Sequence, residues 1–182
     1  MKPSKWRYET LLEFILENDY SDYLEIGLGH GTTTSYLMRN IKDPDFRFYG
    51  VDSYKAYGGL HKKGLRFKQD RFDANRRVVE NIFWMDKRSR FFNMFAHDAA
   101  EEFKDYSFDI IFIDGNHTHD GVMQDLKDWY PLLREGGMFC GHDYYPVGHH
   151  YHCVSKAVNE FAKSVDKEVL TAPDHVWYFK KD

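Results

Sequence analysis

The stretch Glu25-Ile26-Gly27-Leu28-Gly29-His30-Gly31 decides the fold of this chain. A short apolar run from Tyr23 to Ile26 leads into the glycines and predicts a β-strand, and Thr32 or Thr33 then caps a predicted helix. Glycines at such a junction let the backbone turn sharply and approach a ligand closely, while the start of the helix offers unpaired N–H groups. The pattern alone therefore predicts a nucleotide-like cofactor at the carboxyl end of the first strand.

The spacing of these glycines indicates which cofactor is bound. Dinucleotide folds typically carry a G-x-G-x-x-G pattern that seats a pyrophosphate on the helix, whereas this loop reads G-x-G-x-G after a carboxylate, Glu25. S-adenosylmethionine has no pyrophosphate but has a cationic sulfonium and an ammonium group, which a neighbouring carboxylate suits. The sequence therefore favours S-adenosylmethionine, held at Glu25, Gly27, Gly29 and Gly31.

Two further acids follow the next predicted strands. Asp52 ends a predicted strand over residues 46–51, where it is placed to accept hydrogen bonds from two ribose hydroxyls. Asp98 comes after a predicted third strand over residues 91–95 and could accept a hydrogen bond from the adenine amino group. The alternative is that Glu25, Asp52 and Asp98 merely cap helices.

Strands and helices alternate along the whole chain, which is typical of a doubly wound α/β sheet with right-handed crossovers. No helix is predicted between the last two strands, so they should form an antiparallel hairpin. We expect a single domain over residues 1–182 with a Rossmann-like sheet that is mostly parallel and has a C-terminal antiparallel strand. The predicted helices cover residues 6–18, 32–41, 70–84, 99–103, 118–133 and 154–165, and the predicted strands cover residues 23–26, 46–51, 91–95, 108–113, 138–140, 168–170 and 176–179.

The second half of the chain carries acids and histidines at two strand ends. Asp114 and His117 follow the fourth predicted strand, and His142 and Asp143 follow the fifth. Because the carboxyl ends of parallel strands face one crevice, these four side chains should converge. Two carboxylates and an imidazole can hold a divalent cation; purely hard ligation would suit Mg²⁺, and a histidine leaves Mn²⁺, Fe²⁺ or Zn²⁺ open. The alternative is that both histidines lie on surface loops and bind nothing.

These motifs together resemble class I S-adenosylmethionine-dependent methyltransferases over essentially the whole chain. The second half is similar to methyltransferase family 24, which includes metal-dependent sugar and macrolide O-methyltransferases and cephalosporin hydroxylase-like relatives. The segments that carry this second likeness are Ile113-Asp114-Gly115-Asn116-His117, Asp125-Leu126, Gly136-Gly137, His142-Asp143-Tyr144 and Val154-Ser155-Lys156-Ala157-Val158.

The resemblance implies roles for the strand-end residues. Asp114 and Asp143 match acidic metal ligands of the family, and His142 stands where the family has the first acid of a pair, so the implied ligands are Asp114, His142 and Asp143. His117 is implied as the base that removes a hydroxyl proton, a role open to histidine near neutral pH. We expect metal-assisted O-methylation of a hydroxylated small molecule such as a sugar, an activity of EC class 2.1.1.

Other functions stay open at this point. A non-catalytic cofactor-binding module would keep the glycine loop but need no cluster of acids and histidines. A nicotinamide-dependent oxidoreductase would need a longer glycine pattern and a pyrophosphate site. A metallo-β-lactamase-like hydrolase would carry an H-x-H-x-D-H motif, whereas in His117-Thr118-His119-Asp120 the acid directly follows the second histidine.

Composition narrows the partners and the compartment. A formal net charge of -4 over 182 residues gives no reason to expect a nucleic acid or an anionic membrane as partner. Cys140 and Cys153 suggest no disulfide framework, and neither a signal peptide nor a long apolar run is visible, so we expect a cytoplasmic protein. A homo-oligomer is possible by analogy alone. The basic segment His61–Lys68 could close as a lid or form a solvated face, and residues 149–152 could border the same pocket.

Overall fold

The computed structural model describes residues 4–55, 69–146, 148 and 152–182. The basic segment 61–68 and residues 149–151 lie outside these ranges, so the lid prediction concerns residues that are not described. The helices are α1 (Arg7–Glu17), α2 (Thr32–Asn40), α3 (Gln69–Trp84), α4 (Ala96–Glu102), α5 (His119–Trp129) and α6 (His152–Ser164). The strands are β1 (Asp22–Ile26), β2 (Arg47–Val51), β3 (Ser89–Phe92), β4 (Phe108–Ile113), β5 (Leu133–Gly141), β6 (Leu170–Ala172) and β7 (Val176–Lys180).

The strands form one sheet in the order β3-β2-β1-β4-β5-β7-β6. Pairings among β1 to β5 are parallel, and β7 runs antiparallel to both of its neighbours, β5 and β6. This arrangement confirms the predicted Rossmann-like fold class, including the antiparallel C-terminal strand.

The register of the sheet aligns the strand ends that carry the site. Ile26 pairs with Val51 of β2 and with Ile113 of β4, so the central strands end level with one another. Two hydrogen bonds continue the ladder beyond those ends: the N–H of Gly27 donates to Val51 at 2.9 Å, and the N–H of Asp114 donates to Ile26 at 2.8 Å. The glycine loop and both strand-end acids thus emerge at one edge.

The core lies on both faces of the sheet. β4 is buried along its whole length, and its alternate side chains enter two hydrophobic clusters. Ile111 and Ile113 pack with side chains of α4, α5 and α6, while Ile110 and Phe112 pack with side chains of α1, α2 and α3. Burying such a side chain stabilises a protein by about 1.5–3 kcal/mol. Burial on both faces explains why this strand is a nearly continuous apolar run.

Several boundaries differ from the sequence prediction. β3 ends at Phe92, because the chain leaves the sheet and Phe95 becomes the N-cap residue of α4. α5 ends at Trp129 and a short 3-10 helix, Tyr130–Leu132, follows, since Pro131 has no N–H to donate. β5 includes the predicted turn at Gly136, whose φ of 74° accompanies an irregular register with β4. β6 begins two residues later than predicted. Among the described helices, none has the length and apolar character needed to cross a membrane.

Candidate active site

A cavity of about 600 Å³ opens at the carboxyl edge of the sheet. Its wall is formed by the ends of β1 and β2, the residues after β2, Phe72 of α3, the segment entering α4, the segment after β4, and residues of α5. A volume of this size is typical of sites that enclose a small molecule. The cavity therefore lies where an open α/β sheet usually binds its ligand.

The glycine loop reaches the cavity through two of its glycines. Gly27 and Gly29 line the wall and have positive φ angles of 86° and 52°. A Cβ on Gly27 would lie 2.2 Å from the carbonyl oxygen of Asp114, so only glycine fits there, whereas a Cβ on Gly29 would meet no atom within 4 Å. Gly31 is the N-cap residue of α2 and packs against side chains of α3. A cofactor contact at Gly31 stays a prediction.

Asp52 lines the cavity with a carboxylate that three backbone groups hold in place. The N–H groups of Leu28 and Gly29 donate to Oδ2 at 3.0 and 3.3 Å, and the N–H of Tyr54 donates to Oδ1 at 2.8 Å. Burial raises the pKa of Asp52 above its usual value, although the three donors oppose this effect. The glycine loop and the predicted ribose-binding acid therefore form one rigid unit.

Glu25 lies behind the loop and is not part of the described cavity wall. It is 1% exposed, and its carboxyl accepts hydrogen bonds from the Thr34 hydroxyl of α2 and from the Tyr23 hydroxyl at 3.1 Å. Burial raises the pKa of Glu25 to about 8, the negative charge of Asp114 adds to this, and the two hydrogen bonds oppose it. Glu25 thus joins β1 to α2, and its predicted contact with the cofactor's cationic groups stays a prediction.

The segment between β3 and α4 reaches the cavity through residues other than Asp98. Phe95, Ala96 and His97 lie on the wall, while Asp98 is exposed in the first turn of α4. Successive side chains of a helix point about 100° apart, so a small shift of the helix start changes which one faces the cavity. The adenine contact predicted for Asp98 gains no support from this geometry.

The four side chains predicted at the ends of β4 and β5 do converge. His117 Nε2 lies 3.0 Å from Asp143 Oδ2 and 3.5 Å from Asp114 Oδ1. His142 Nδ1 lies 3.3 Å from Asp143 Oδ1 and 3.7 Å from Asp114 Oδ1. Each carboxylate therefore faces both imidazoles, and Asp114, which also lines the cavity, connects this acid–histidine cluster to it.

The carboxylates and imidazoles of the cluster stabilise one another's charged forms. Burial lowers the pKa of His117, but its hydrogen bonds to Asp114 and Asp143 and their charges outweigh burial and raise the pKa to about 10. Against burial, the same two acids also raise the pKa of His142. Burial favours the neutral form of Asp143, yet both imidazoles hold its pKa far below the usual range. The two acids therefore favour the protonated form of each imidazole.

The donor set also fits a divalent cation. Ligand atoms of Asp114, His117 and Asp143 all lie within 4.8 Å of one another, and His142 Nδ1 faces the same two carboxylates. Oxygen and imidazole ligands together suit Mn²⁺, Fe²⁺ or Zn²⁺, whereas Mg²⁺ prefers oxygen alone. Either histidine could supply the nitrogen, so the geometry leaves the choice between His142 and His117 to experiment.

Sequence reasoning missed two residues of this region. Asp174, in the turn between β6 and β7, has Oδ2 3.8 Å from His142 Nε2 and accepts the backbone N–H of Arg7 at 3.0 Å. Arg7, the first residue of α1, has Nε 3.7 Å from Asp114 Oδ2 and 3.3 Å from Thr33 Oγ1. Both lie far along the chain from Asp114, and neither belongs to a motif that would have signalled its place.

Comparisons with known proteins agree with this arrangement. A family model described as "Methyltransferase domain" matches residues 24–144, a span that includes the glycine loop and the acid–histidine cluster. An uncharacterised protein of Acanthamoeba polyphaga mimivirus is 27% identical over 132 residues, which are 70% of this chain and 53% of that protein. This chain thus spans about half the length of the curated relative that it matches.

Solved structures share the fold. An O-methyltransferase from Bacillus cereus in complex with SAH is 15% identical with a TM-score of 0.66, and the match covers 96% of this chain and 80% of that chain. A TDP-rhamnose 3′-O-methyltransferase of calicheamicin biosynthesis is 13% identical with a TM-score of 0.62, covering 96% of this chain and 80% of that chain. At such identities the likeness establishes the fold alone.

Proposed function

This chain belongs to the methyltransferase domain family, and on that premise we propose that it is a metal-assisted O-methyltransferase that uses S-adenosylmethionine. Its substrate would be a hydroxylated small molecule such as a sugar. The observation that carries the proposal is the junction of the cavity with the acid–histidine cluster, because Asp114 belongs to both. A site that only bound a nucleotide would have no need of that cluster.

The cavity has the features that this cofactor requires. Gly27 and Gly29 leave bare backbone at the wall, and the open space beside Gly29 is where a side chain would otherwise stand. Asp52, fixed by three N–H groups, keeps about one lone-pair site, on Oδ1, with which to accept a hydrogen bond from a ribose hydroxyl. When bound, S-adenosylmethionine supplies a methyl group activated by its sulfonium.

The cluster supplies residues for binding and deprotonating the substrate. Asp114 and Asp143 would hold the cation with His142 as nitrogen ligand, and a metal there would orient a substrate hydroxyl and lower its pKa. His117 would then receive the hydroxyl proton. The two carboxylates raise the pKa of His117 to about 10, so it can accept that proton only once their negative charge is taken up by another group.

Three observations favour a small hydroxylated substrate. The cavity volume of about 600 Å³ suits a cofactor with a small acceptor. A metal held by the paired carboxylates of the cluster, which face one another across the imidazoles, would offer a site for two neighbouring hydroxyl groups. One neighbour by fold acts on TDP-rhamnose, a sugar nucleotide. Since this chain spans about half of its curated relative, the activity of the whole protein is part of this proposal.

Calorimetric titration with S-adenosylmethionine, with and without Mg²⁺ or Mn²⁺, tests the cofactor assignment. We expect binding by the wild-type protein and clearly weaker binding by Asp52→Ala. The absence of binding would refute the central claim, and unchanged affinity in Asp52→Ala would refute the ribose contact.

Metal analysis and turnover test the cluster. We expect the double variant Asp114→Ala, Asp143→Ala to lose bound metal, and His142→Ala to lose it as well. His117→Ala should keep both metal and cofactor but lose turnover, measured as S-adenosylhomocysteine released with a panel of sugars. His119, which is half-buried like His117 but pairs with Glu160 at 2.8 Å outside the cluster, provides a matched His→Ala control. Equal metal content in the wild type and the double variant would remove the metal site.

A further inference from the structure

Arg7, the first residue of α1, brings a positive charge to the edge of the acid–histidine cluster. Its Nε lies 3.7 Å from Asp114 Oδ2, and its Nη1 lies 4.0 Å from Asp174 Oδ2. These are ion-pair distances and are too long for hydrogen bonds. Among the described residues, no other lysine or arginine pairs with Asp114, Asp143 or Asp174. Because arginine keeps its proton, Asp114 and Asp174 share one permanent counter-charge.

Contacts other than these ion pairs hold Arg7 in place. Its Nε donates to the hydroxyl of Thr33 at 3.3 Å, and Thr33 is buried in the first turn of α2. The backbone N–H of Arg7 donates to Asp174 Oδ2 at 3.0 Å, and this bond does not depend on the side chain at position 7. A substitution of Arg7 can therefore remove the positive charge and leave the start of α1 attached to the β6–β7 turn.

The two oxygens of Asp114 face different positive groups. Oδ1 lies 3.5 Å from His117 Nε2 and 3.7 Å from His142 Nδ1, whereas Oδ2 faces Arg7. A divalent cation held by the cluster would share Asp114 with a guanidinium that cannot lose its proton. Since like charges beside one carboxylate repel each other, Arg7 weakens the attraction of the cluster for a cation.

We propose that Arg7 sets the metal affinity of the cluster. Its charge balances Asp114 and Asp174 in the metal-free protein and opposes the entry of a divalent cation, so that the metal binds reversibly. This inference rests on the proposed metal-assisted function and makes Arg7 a positioning residue that acts through Asp114. Removing the charge should tighten metal binding, whereas the loss of a merely structural contact would weaken it.

Calorimetric titration of the metal-free protein with Mn²⁺ tests the sign of this effect. The side chains of Arg7 and Asp114 are only 28% and 15% exposed, so solvent screens their charges incompletely. We therefore expect Arg7→Gln to bind Mn²⁺ about tenfold more tightly than the wild type. Arg7→Lys keeps a positive charge but loses the planar guanidinium, and its affinity should stay within about threefold of the wild type.

Lys5→Gln is the matched control, because it removes a positive charge just before α1 that pairs with Glu13 and not with the acids of the site. Its affinity for Mn²⁺ should equal that of the wild type. Weaker or unchanged binding by Arg7→Gln would overturn the inference. An equal gain of affinity in Arg7→Lys would also overturn it, since it would assign the effect to the guanidinium contact with Thr33 instead of the charge.

Thermal unfolding gives a second measurement that does not require turnover. Without metal, Arg7→Gln should unfold at a lower temperature than the wild type, because Asp114 and Asp174 lose their counter-charge. Saturating Mn²⁺ should raise the unfolding temperature of Arg7→Gln by more than that of the wild type, because a ligand stabilises the folded state more when it binds more tightly. A smaller rise in the variant would contradict the inference.

The outcomes separate this inference from the function on which it rests. If neither the wild type nor any variant binds Mn²⁺, the metal site fails and the role of Arg7 fails with it. If the wild type binds Mn²⁺ and Arg7→Gln binds it no more tightly, only the role of Arg7 fails. Should Arg7→Gln not fold, Arg7→Met removes the same charge, keeps an apolar stem and decides in its place.

Discussion

Replacing Glu25 by glutamine separates two roles for the acid that precedes the glycine loop. The side chain is 1% exposed and is held by the hydroxyls of Thr34 and Tyr23. Burial raises its pKa from 4.5 to about 8, so the folded protein binds a proton that the unfolded chain releases between these values. The contribution of Glu25 to stability is therefore fully present below about pH 4.5 and declines until about pH 8.

The magnitude follows from the size of the pKa shift. One pH unit of pKa shift corresponds to about 1.4 kcal/mol. Relative to low pH, ionisation of Glu25 in the unfolded chain therefore lowers the free energy of unfolding by about 3 kcal/mol at pH 7, and the loss reaches at most about 5 kcal/mol above pH 8. Glutamine keeps the shape of the side chain and cannot ionise. We expect the free energy of unfolding of Glu25→Gln, relative to the wild type, to rise by about 1.4 kcal/mol per pH unit between pH 5 and pH 8.

Urea unfolding at several pH values measures this difference, in which contributions from unchanged groups cancel. Glu102→Gln, at an exposed position of α4, is the control and should give a flat line. Because Glu25 is not on the described cavity wall, Glu25→Gln should bind S-adenosylhomocysteine within about threefold of the wild type. A flat stability difference for Glu25→Gln, together with a loss of affinity above tenfold, would refute the buried neutral acid and favour a direct cofactor contact.

Three further changes test other parts of the structure. Gly27→Ala should destabilise the fold by about 3 kcal/mol or more in urea unfolding, because its Cβ would lie 2.2 Å from a backbone oxygen. Gly136→Ala is the control: this glycine also has a positive φ but a Cβ there would meet open space, so the change should cost about 1 kcal/mol. Asp125→Asn should become more stable than the wild type as pH rises from about 4 to about 7, by up to about 4 kcal/mol, because burial raises the folded pKa of Asp125 to about 7. Asp174→Asn should weaken metal binding by less than about tenfold without changing affinity for S-adenosylhomocysteine, because its charge lies 3.8 Å from His142 Nε2 and Asp174 is not on the described cavity wall; unchanged metal affinity would show that this charge does not support the proposed metal site.

The strand-end residues could be predicted because a parallel sheet fixes where they lie. β4 reads as a continuous apolar run since both of its faces are covered, and a polar residue right after such a run must lie at the carboxyl edge. This reasoning placed Asp52 and Asp114 on one wall and brought His142 and Asp143 to the neighbouring strand end. It needed only that these strands run parallel in one sheet, which the alternation of strands and helices indicates.

The part of the cavity wall next to α4 could not be predicted with the same reasoning. The apolar run over residues 91–95 was assigned wholly to a strand, but its last residues leave the sheet and begin α4. A shift of three residues changes which side chains meet the cavity, so Phe95 and His97 lie on the wall and Asp98 does not. Asp125 belonged to a motif, yet its burial beside the cavity depends on how α5 packs, which the sequence pattern does not specify.

The histidine at position 142 becomes intelligible once the ends of the chain are considered. The family resemblance places an acid there, and a histidine in its place removes one negative charge from the proposed metal site. Asp174 places a carboxylate 3.8 Å from the far nitrogen of that ring, Nε2, while Nδ1 faces Asp143 at 3.3 Å. At 3.8 Å Asp174 lies beyond hydrogen-bond distance of Nε2, so its negative charge acts on the ring through space and would compensate in part for the missing acid at the proposed metal site. Arg7 donates its backbone N–H to Asp174, so the start of α1 holds in place the carboxylate of the β6–β7 turn that faces His142.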